Sequence, residues 1–306
     1  MEKIYDMIII GGGPAGYTAA LYASRAGLSV AVIERMAAGG QMGLTGDIEN
    51  YPGFPEGIDG LTLGMNMQAG AERSGCETVY AAVVSVELSD KIKKIVTDLG
   101  EYHARTVVIA TGADPRKLGL PMEEKLTGRG IHYCAHCDGR FYKDKTVCVV
   151  GGGNSAAEDA LYLSRLAKKV YLIHRRDVLR AARVYHGPIE KAENIELLWN
   201  SAVADVSYEK RLTGVTVEDL KSGEKKSIEA DGLFISIGRT PSTELFKGIL
   251  SLDGGYIVAD ETTRTTLPGV YAAGDVRTKA LRQVVTAAAD GAVAAHFAEE
   301  YINGNF

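Results

Sequence analysis

The chain has 306 residues, of which 46% are hydrophobic and 24% are charged, and its formal net charge is −5. At roughly 150 residues per domain this length predicts two domains, and the composition excludes a disordered, fibrous or disulfide-stapled miniature protein. We expect no nucleic-acid partner, because phosphate backbones are bound by dense positive charge and here 34 lysines and arginines face 39 aspartates and glutamates.

The sequence also indicates where the protein works. No apolar run approaches the roughly 18 residues that a membrane span requires, and the first residues lack the pattern of a secretory signal. We therefore expect a cytoplasmic protein without a membrane segment. Its four cysteines are too few for an extracellular disulfide framework, so a close pair among them indicates redox or metal chemistry.

An internal repeat with an offset of 140 residues organises the chain. The segment GGGPAG at 11–16 recurs as GGGNSA at 151–156, and ALYASR at 20–25 recurs as ALYLSR at 160–165. Each copy predicts a strand, a glycine turn, a helix and a second strand, with the strands at Met7–Ile10, Val30–Ile33, Val147–Val150 and Val170–Ile173. Such βαβ units require parallel sheets, so the expected fold class is α/β with two Rossmann-like dinucleotide-binding domains.

Two further apolar runs, Thr106–Ala110 and Leu233–Ile237, predict strands that end near glycines, where the chain passes between domains. The segment after Pro241 is too short to form a third doubly wound domain. We therefore expect it to complete the first domain, which would comprise residues 1–112 and 244–306. The second domain, residues 113–243, would be an insertion in the first.

The first glycine turn has the pattern of a dinucleotide site. In such a turn the first glycine permits the bend, the second lets the backbone approach a pyrophosphate, and the third lets helix and strand pack closely. Gly11, Gly13 and Gly16 occupy these places, and Glu34, 23 residues after Gly11, can accept hydrogen bonds from ribose hydroxyls. The alternative is a purely structural turn with a solvated glutamate.

The second glycine turn differs in charge. Ala156 replaces the third glycine, and 23 residues after Gly151 the chain reads His174-Arg175-Arg176, with Arg180 one turn later. A carboxylate at this place would repel a 2′-phosphate, whereas guanidinium groups bind it, so the pattern predicts an NADP(H) site. A solvated basic strand end is the alternative.

Cys134-Ala135-His136-Cys137-Asp138 is the candidate reactive centre. Two thiols separated by two residues can form a readily reduced disulfide. Zinc is the rival interpretation, because His132 and His136 interleave with the cysteines, but a structural zinc site usually takes two well-separated ligand pairs. Cys76 and Cys148 are expected to be bystanders.

Over essentially its whole length the sequence resembles the low-molecular-weight bacterial thioredoxin reductases. The motifs that carry the resemblance are the two glycine turns, Gly39-Gly40-Gln41, Ala110-Thr111-Gly112, Cys134-x-x-Cys137-Asp138-Gly139, His174-Arg175-Arg176, Gly274-Asp275 and Arg282-Gln283. The resemblance implies FAD in the first domain, NADPH in the inserted domain, a homodimer, and thioredoxin as the partner.

The resemblance also implies roles for individual residues. Those expected near FAD are Gly11, Gly13, Pro14, Ala15, Gly16, Glu34, Gly40, Gln41, Asn50, Ala110, Thr111, Gly112, Gly274, Asp275, Arg282 and Gln283, with Asp275 at the ribityl chain. Those expected near NADPH are Gly151, Gly153, Asn154, Ser155, Ala156, His174, Arg175, Arg176 and Arg180. Read singly, Gln41 and Asn50 could be turn residues, and Arg282-Gln283 an exposed helix start.

In the reactive centre, the resemblance implies that Cys137 faces the flavin, that Cys134 attacks the disulfide of the partner, and that Asp138 is the acid/base. Two residues depart from the family pattern. His136 stands where threonine or another small residue is common, and by stabilising a thiolate it would raise the reduction potential of the pair; a solvent-facing side chain is the alternative. Arg140 stands where an apolar residue is usual.

The implied reaction passes a hydride from NADPH to FAD, opens the Cys134–Cys137 disulfide and reduces thioredoxin by exchange. Because the nicotinamide site and the cysteines lie on the same inserted domain, that domain is expected to rotate between half-reactions on the connections 112–121 and 238–241. Three alternatives stay open: a flavin-dependent dithiol oxidase, a ferredoxin-driven thioredoxin reductase, and a non-catalytic flavin or nucleotide sensor. Retention of the His174-Arg175-Arg176 motif argues against the first two.

Overall fold

In the computed structural model, which describes residues 3–44 and 46–306, the chain divides into two units. The first unit is discontinuous and consists of the chain up to Asp114 together with Thr240–Phe306. The second unit is Pro115–Arg239, which makes it an insertion in the first.

In each copy of the repeat a helix lies between two strands, as predicted: β1-α1-β2 in the first and β11-α5-β12 in the second. The strands are β1 Ile4–Ile10, β2 Val30–Glu34, β3 Asp47–Ile48, β4 Ile58–Asp59, β5 Glu77–Tyr80, β6 Val83–Glu87, β7 Lys93–Thr97, β8 Gly100–Ile109, β9 Ala113–Pro115, β10 Ile131–His132, β11 Thr146–Val150, β12 Lys169–Ile173, β13 Ile195–Leu198, β14 Ser201–Tyr208, β15 Leu212–Asp219, β16 Lys225–Glu229, β17 Gly232–Ile235, β18 Arg239–Pro241, β19 Leu252–Asp253, β20 Tyr256–Ile257 and β21 Val270–Ala272. The α-helices are α1 Pro14–Arg25, α2 Gly60–Arg73, α3 Glu123–Leu126, α4 Ala135–Asp138, α5 Asn154–Ser164, α6 His186–Lys191 and α7 Val284–Asn305.

The main sheet of the first unit runs in the order β5-β2-β1-β8-β7-β6, with β21 also paired to β8. Strands β5, β2, β1, β8 and β21 are parallel, and β7 and β6 are antiparallel. Residues 7–10 at the centre are all buried, which explains their continuous apolar run, since a parallel strand is covered on both faces. The carboxyl ends of β1, β2, β8 and β21 therefore meet at one edge of the sheet.

Helices α1 and α7 cover one face of this sheet and bring the end of the chain back to its beginning. Their contact is lined by small residues, and a side chain at Gly291 of α7 would overlap the carbonyl oxygen of Ala15 in α1. Ala19, Ala23 and Ala294 are fully or almost fully buried nearby. The segment after Pro241 thus belongs to the first unit because close helix packing and the β21–β8 pairing hold it there.

The second unit repeats the parallel arrangement on a smaller scale. Its five-stranded sheet has the order β10-β17-β11-β12-β13, and every neighbouring pair is parallel. An antiparallel three-stranded sheet, β14-β15-β16, belongs to the same unit. Helix α5 packs on the parallel sheet through buried Ala156, Ala157 and Ala160.

The predicted fold class is confirmed. Some strand boundaries differ from the predicted ones. Strand β8 starts at Gly100, six residues before the predicted Thr106, because residues 100–104 pair with β7 in a hairpin. Strand β17 ends at Ile235, before the predicted Ile237, and the chain then turns at Gly238, whose φ is 104°. The antiparallel sheet β14-β15-β16 has no counterpart in the sequence prediction. Among the described residues, no helix has the length and apolarity of a membrane span.

Candidate active site

In the first glycine turn, two glycines have no room for a side chain, whereas a third has open space around it. A side chain at Gly11 (φ 107°) would overlap the Ala110 carbonyl, and one at Gly16 would overlap the Gly11 carbonyl. Gly13 has φ −82° and ψ −174°, a conformation open to any residue, and no atom lies within 4 Å of the place a Cβ would take. The space above Gly13, at the start of α1, is therefore open; we call it the cradle, and its place at a helix N-terminus suits a ligand phosphate.

The next residues of the turn join it to the rest of the unit. Pro14 occupies the first position of α1, where its missing N–H removes no helical hydrogen bond. Ala15 is buried, and a Cβ at Gly274 would lie 3.0 Å from the Ala15 Cβ. The sequence-distant Gly274-Asp275 turn thus lies beside the start of α1.

Glu34, the last residue of β2, fixes the glycine turn. Its Oε2 accepts a hydrogen bond from the Gly12 amide at 2.7 Å, and its Oε1 accepts one from the Met36 amide at 2.9 Å. The Gly39 amide donates to the Gly12 carbonyl at 2.8 Å, and a Cβ at Gly40 would lie 3.5 Å from the Gly13 Cα. The carboxylate is half-buried beside the open cradle.

Residues 110–112 follow β8 at the same sheet edge. The Ala110 amide continues the ladder by donating to Ile10, and the Thr111 hydroxyl donates to the Ser242 carbonyl at 2.8 Å. Gly112 has φ 71° with open space around it. This segment therefore bounds the cradle on the side of β8.

A buried charge cluster holds the Gly274-Asp275 turn after β21. Asp290 of α7 accepts hydrogen bonds from the Gly274 amide at 2.9 Å, from the Arg277 guanidinium at 2.8 and 2.9 Å, and from the Lys279 ammonium at 2.8 Å. Burial acts to raise the pKa of Asp290, but the hydrogen bonds from Arg277 and Lys279 hold it below its ordinary value of 3.8.

Three polar residues predicted near FAD, Asn50, Arg282 and Gln283, each contact a group that is distant in sequence or lies in a neighbouring turn. Asn50 donates to the Gln283 side chain at 3.1 Å across 233 residues of sequence, and Gln283 caps the start of α7. The Arg282 guanidinium lies 4.1 Å from the centre of the Tyr256 ring, and its buried Nε has no hydrogen-bond partner among the described residues. A buried donor without a partner is costly, so this atom is a candidate contact for a bound group.

Gln41, another residue predicted near FAD, is held by a contact with Asp114. Its side-chain amide donates to the Asp114 carboxylate at 2.6 Å. Both residues lie in the first unit, in the segments that follow β2 and β8, so Gln41 is held by a contact between distant segments as well as by its own turn.

The second glycine turn likewise has one glycine that close packing requires and one with open space around it. A side chain at Gly151 (φ 151°) would overlap the Ser236 carbonyl and crowd the buried Ala156, whereas Gly153 has φ −93° and nothing within 4 Å of a Cβ position. Asn154 starts α5 and accepts a hydrogen bond from the Ala182 amide at 2.8 Å, and Ser155 is exposed in the first helical turn. Here too the open glycine leaves space at the start of the helix.

His174 lies beneath this turn and does not project from it. Its ring fills the space that a side chain at Gly152 would need and is 4% exposed. The ring Nε2 donates to the Val178 carbonyl at 3.1 Å. Burial, together with the neighbouring arginines, lowers the pKa of His174, so the ring is neutral at pH 7.

Arg175, Arg176 and Arg180 supply the positive charge of this site. All three are exposed, and none makes an ion pair within residues 3–44 and 46–306. The backbone amides of Arg180 and Ala181 donate to the Gly152 carbonyl at 2.7 and 3.1 Å, which ties the arginine loop to the glycine turn. The structure thus brings three guanidinium groups and the open Gly153 onto neighbouring segments.

Cys134 and Cys137 form a disulfide at the start of α4. Cys134 is the residue that precedes the helix, and its sulfur also accepts a hydrogen bond from the Cys137 amide at 3.2 Å. The two other cysteines, Cys76 and Cys148, are buried free thiols whose pKa burial raises to about 12, which makes them poor nucleophiles.

Asp138 is held by a buried histidine. Its Oδ2 lies 3.0 Å from Nδ1 of His132, and the other ring nitrogen of His132 lies 2.6 Å from the Tyr142 hydroxyl. Both aromatic residues are buried, and the Asp138 side chain is 15% exposed. The acid that follows the disulfide is therefore fixed from the inside of the second unit.

His136, between the cysteines, lies against α5. Its ring stacks on Tyr162 with centroids 4.2 Å apart, and its Nδ1 is 3.9 Å from Oδ1 of Asp159. The other carboxylate oxygen of Asp159 accepts a short hydrogen bond from the Ser236 hydroxyl. Burial raises the pKa of Asp159, against the opposing effects of Ser236 and His136. In the described residues, no three histidine, cysteine or acidic side chains cluster as a metal site would require.

The sequence prediction missed several residues around the site. The sequence indicates His132 only as a possible zinc ligand, and the prediction includes neither Tyr142 nor the Arg277–Asp290–Lys279 cluster. For Asp290 there is a signal, because it is an acid within an alanine-rich buried helix face. For Tyr142 there is none, since its contact with His132 depends on tertiary packing.

The comparison with known proteins agrees with this geometry. The model of the pyridine nucleotide-disulphide oxidoreductase family matches residues 5–291. A thioredoxin reductase from Streptomyces clavuligerus is 50% identical over 306 residues, covering 99% of this chain and 95% of the relative. One from Bacillus subtilis is 45% identical, covering 98% and 96%.

Solved structures give the same result. The crystal structure of thioredoxin reductase from Streptococcus pyogenes is 43% identical and superposes with a TM-score of 0.94, covering 99% of this chain and all of the other. The sequence, the two nucleotide-type glycine turns and the disulfide agree with both comparisons. The chain therefore belongs to the thioredoxin reductases of the pyridine nucleotide-disulphide oxidoreductase family.

Proposed function

We propose that this chain reduces the disulfide of thioredoxin with NADPH, through bound FAD and the Cys134–Cys137 pair. The observation that carries the proposal is the Cys134–Cys137 disulfide followed directly by Asp138, in a unit that has its own glycine turn and arginine loop. In each turnover NADPH and one proton are consumed, the sulfur–sulfur bond of thioredoxin is broken, and NADP⁺ and a dithiol are released.

FAD is assigned to the discontinuous first unit. When bound, it supplies a two-electron carrier between NADPH and the disulfide. The fit rests on the cradle above Gly13 and on the buried, unpaired Nε of Arg282. Glu34 and Asp275 would bind ribose and ribityl hydroxyls, and the Asn50–Gln283 pair would lie against the cofactor. The remaining predicted FAD residues are Gly11, Pro14, Ala15, Gly16, Gly40, Gln41, Ala110, Thr111, Gly112 and Gly274.

NADPH is assigned to the inserted unit. The open Gly153 would let its pyrophosphate approach the start of α5, and Arg175, Arg176 and Arg180 would bind the 2′-phosphate. His174, neutral and buried, would support the turn from below without charge of its own. Gly151, Asn154, Ser155 and Ala156 complete the proposed site.

The two cysteines take different roles. Cys137 receives electrons from the cofactor side, and Cys134 attacks the disulfide of thioredoxin as a thiolate. Asp138 supplies the proton that the departing sulfur needs, which is a general acid's task.

The cofactor assignment is tested by a pair of open glycines in the first unit. Gly13→Ala should fold normally but purify without bound flavin, because the new methyl group fills the proposed cradle. Gly70→Ala is the matched control, since Gly70 also has nothing within 4 Å of a Cβ position but lies in α2. Flavin absorbance per chain and the urea unfolding midpoint are measured for both. Full flavin content in Gly13→Ala would contradict the assignment.

A direct assay separates the proposed activity from its alternatives. The purified protein should oxidise NADPH only when a disulfide thioredoxin is added, with one thioredoxin dithiol formed per NADPH. A dithiol oxidase would instead form peroxide from dithiols and oxygen without NADPH, and a ferredoxin-driven enzyme would require reduced ferredoxin. Cys134→Ser and Cys137→Ser should each abolish thioredoxin reduction, whereas a non-catalytic sensor would be indifferent to them.

The reaction requires that the inserted unit present its two sites to the flavin in turn. We place this rotation in the two connections between the units, where Gly112 and Gly238 have φ values of 71° and 104°. A reversible engineered disulfide between the two units should stop thioredoxin turnover, and reducing that cross-link should restore it. Full activity in the verified cross-linked protein would refute the rotation.

The protein is further proposed to act as a cytoplasmic homodimer. Support for self-association comes from exposed apolar side chains of the first unit, Leu61 and Met65 one turn apart on α2 and Val285 at the start of α7. Light scattering should give twice the chain mass, and Leu61→Glu with Met65→Glu should reduce it to that of one chain. Cell fractionation tests the compartment.

A further inference from the structure

A row of close polar contacts leads inward from Asp138. Asp138 Oδ2 and His132 Nδ1 are 3.0 Å apart, and His132 Nε2 and the Tyr142 hydroxyl are 2.6 Å apart. His132 is 6% exposed and Tyr142 5%. Neither residue has a part in the reaction proposed above.

The partners determine which ring nitrogen carries the proton. Nδ1 of His132 faces a carboxylate oxygen of Asp138 at 3.0 Å, where two lone pairs would repel each other, so we assign the ring proton to Nδ1. In that tautomer Nε2 is the acceptor, and the Tyr142 hydroxyl donates to it. Burial raises the pKa of Tyr142 to about 12, so the hydroxyl keeps its proton at neutral pH. The carboxylate on one side and the hydroxyl on the other together favour this tautomer of His132.

Packing against neighbouring rings holds the His132 ring in place for these contacts. His132 lies on β10, opposite Phe234 of the neighbouring β17, and the two rings stack with centroids 5.2 Å apart. The Tyr142 ring meets His132 edge-on at 5.2 Å. His132 thus belongs to a strand of the parallel sheet, whereas Asp138 belongs to the short helix α4.

We propose that His132 is a positioning residue for Asp138, a role that rests on the proposed function. The 3.0 Å contact with Nδ1 fixes Oδ2 and leaves Oδ1, which has no hydrogen bond within the described part of the chain, to carry a proton to and from sulfur.

The exchange step balances with this assignment. The Cys134 thiolate bonds to one sulfur of the thioredoxin disulfide, and the other sulfur leaves with the bonding pair and takes the proton of the Asp138 carboxyl. Asp138 recovers a proton from the Cys137 thiol, whose thiolate then bonds to Cys134 and releases the second sulfur. The second sulfur leaves as a thiolate and takes its proton from the solvent, to which Cys134 lost one when it ionised. The enzyme pair is oxidised and thioredoxin becomes a dithiol, having gained two electrons and two protons.

Two variants of similar size separate donation from packing. His132→Leu fills the space without a donor, whereas the amide nitrogen of His132→Asn can take the place of Nδ1. Because a general acid contributes roughly 10²–10⁴-fold, loss of its orientation should lower kcat with thioredoxin about tenfold in His132→Leu. His132→Asn should stay within about threefold of wild type. Urea unfolding midpoints report any loss of packing separately.

The tautomer gives a readout independent of turnover. In ¹⁵N-histidine-labelled wild-type holoenzyme, the signal that disappears in His132→Asn should show a protonated Nδ1 and an unprotonated Nε2. Tyr142→Phe should shift the Nε2 resonance. Tyr133→Phe, which removes a hydroxyl bonded instead to Glu123 at 2.6 Å, should leave it unchanged.

The outcomes distinguish this role from the function on which it rests. Failure of the wild type to reduce thioredoxin overturns the proposed function and the role together. A wild type that turns over while His132→Leu keeps full kcat, or falls no further than His132→Asn, overturns the positioning role alone. A protonated Nε2 in the wild type does so as well.

Discussion

The imidazole of His174 occupies the space against Gly152 that any side chain at that glycine would need. The ring is buried and tied to the Val178 carbonyl. The middle glycine of the second turn is therefore dictated by the packing of a histidine, and only its neighbour Gly153 is left free for a ligand.

This packing predicts a strong coupling between the two residues. Gly152→Ala should destabilise the protein by about 1–3 kcal/mol, as overpacking of a close contact does, and His174→Ala should destabilise it by leaving a cavity. In the double variant the methyl group has room, so the two losses should fall short of their sum by about 1 kcal/mol or more. Urea unfolding of the four proteins measures this, and strict additivity would contradict the contact.

Removing the arginine charges should change the choice of nucleotide. Arg175→Ala with Arg176→Ala should raise the KM for NADPH about 100-fold, because charge-assisted hydrogen bonds contribute roughly 1.5–3 kcal/mol each, and leave the KM for NADH nearly unchanged. Lys221→Ala removes an exposed cation of the same unit from the turn after β15 and serves as control. Equal losses with both nucleotides would mean that the arginines do not read the 2′-phosphate.

His136 should set the potential of the adjacent disulfide. If its imidazole favours the thiolate, His136→Thr should make the Cys134–Cys137 potential about 30 mV more negative, which corresponds to a tenfold change in the equilibrium constant. Its stacking on Tyr162 and its approach to Asp159 hold the ring in place. Equilibration with dithiothreitol redox buffers gives the value, and an unchanged potential would assign His136 to packing alone.

The Asp290 cluster should make stability acid-sensitive. The folded-state pKa of Asp290 lies below its unfolded value of 3.8, so the stabilisation is present above pH 3.8 and is lost as the pH falls through the folded-state value. Asp290→Asn should lower the free energy of unfolding at pH 7 by about 3–5 kcal/mol, because Arg277 and Lys279 then stay buried with only an amide partner. Denaturant curves across pH should show the difference between variant and wild type narrowing in acid.

The repeated glycine turns allowed the fold to be predicted because they combine local rules that agree. Gly11 and Gly151 need positive φ, and an apolar run precedes and follows each turn, so periodicity and turn chemistry point to the same βαβ unit. The start of β8 was not predicted, because the first half of this strand forms by pairing with β7. The sheet β14-β15-β16 was not predicted either, because its alternating, half-exposed pattern is weak.

The sequence predicts which types of residue form the site, but not the burial and contacts of those residues. The motif His174-Arg175-Arg176 indicated three cations, yet the structure separates a buried neutral ring from exposed guanidinium groups, a difference set by tertiary packing. Likewise, the family resemblance indicates Asp138 beside Cys137, but its contact with His132 depends on the pairing of β10 with β17 and on Tyr142, which no local pattern encodes.

The central claim is that electrons pass from NADPH through bound FAD into the Cys134–Cys137 disulfide. Anaerobic reductive titration of the holoprotein, with free thiols counted afterwards, tests it most directly. The account predicts about two two-electron equivalents per chain in the wild type, with two new thiols, and about one equivalent with no new thiols in Cys134→Ser/Cys137→Ser. One equivalent in the wild type, with the disulfide intact, would contradict it.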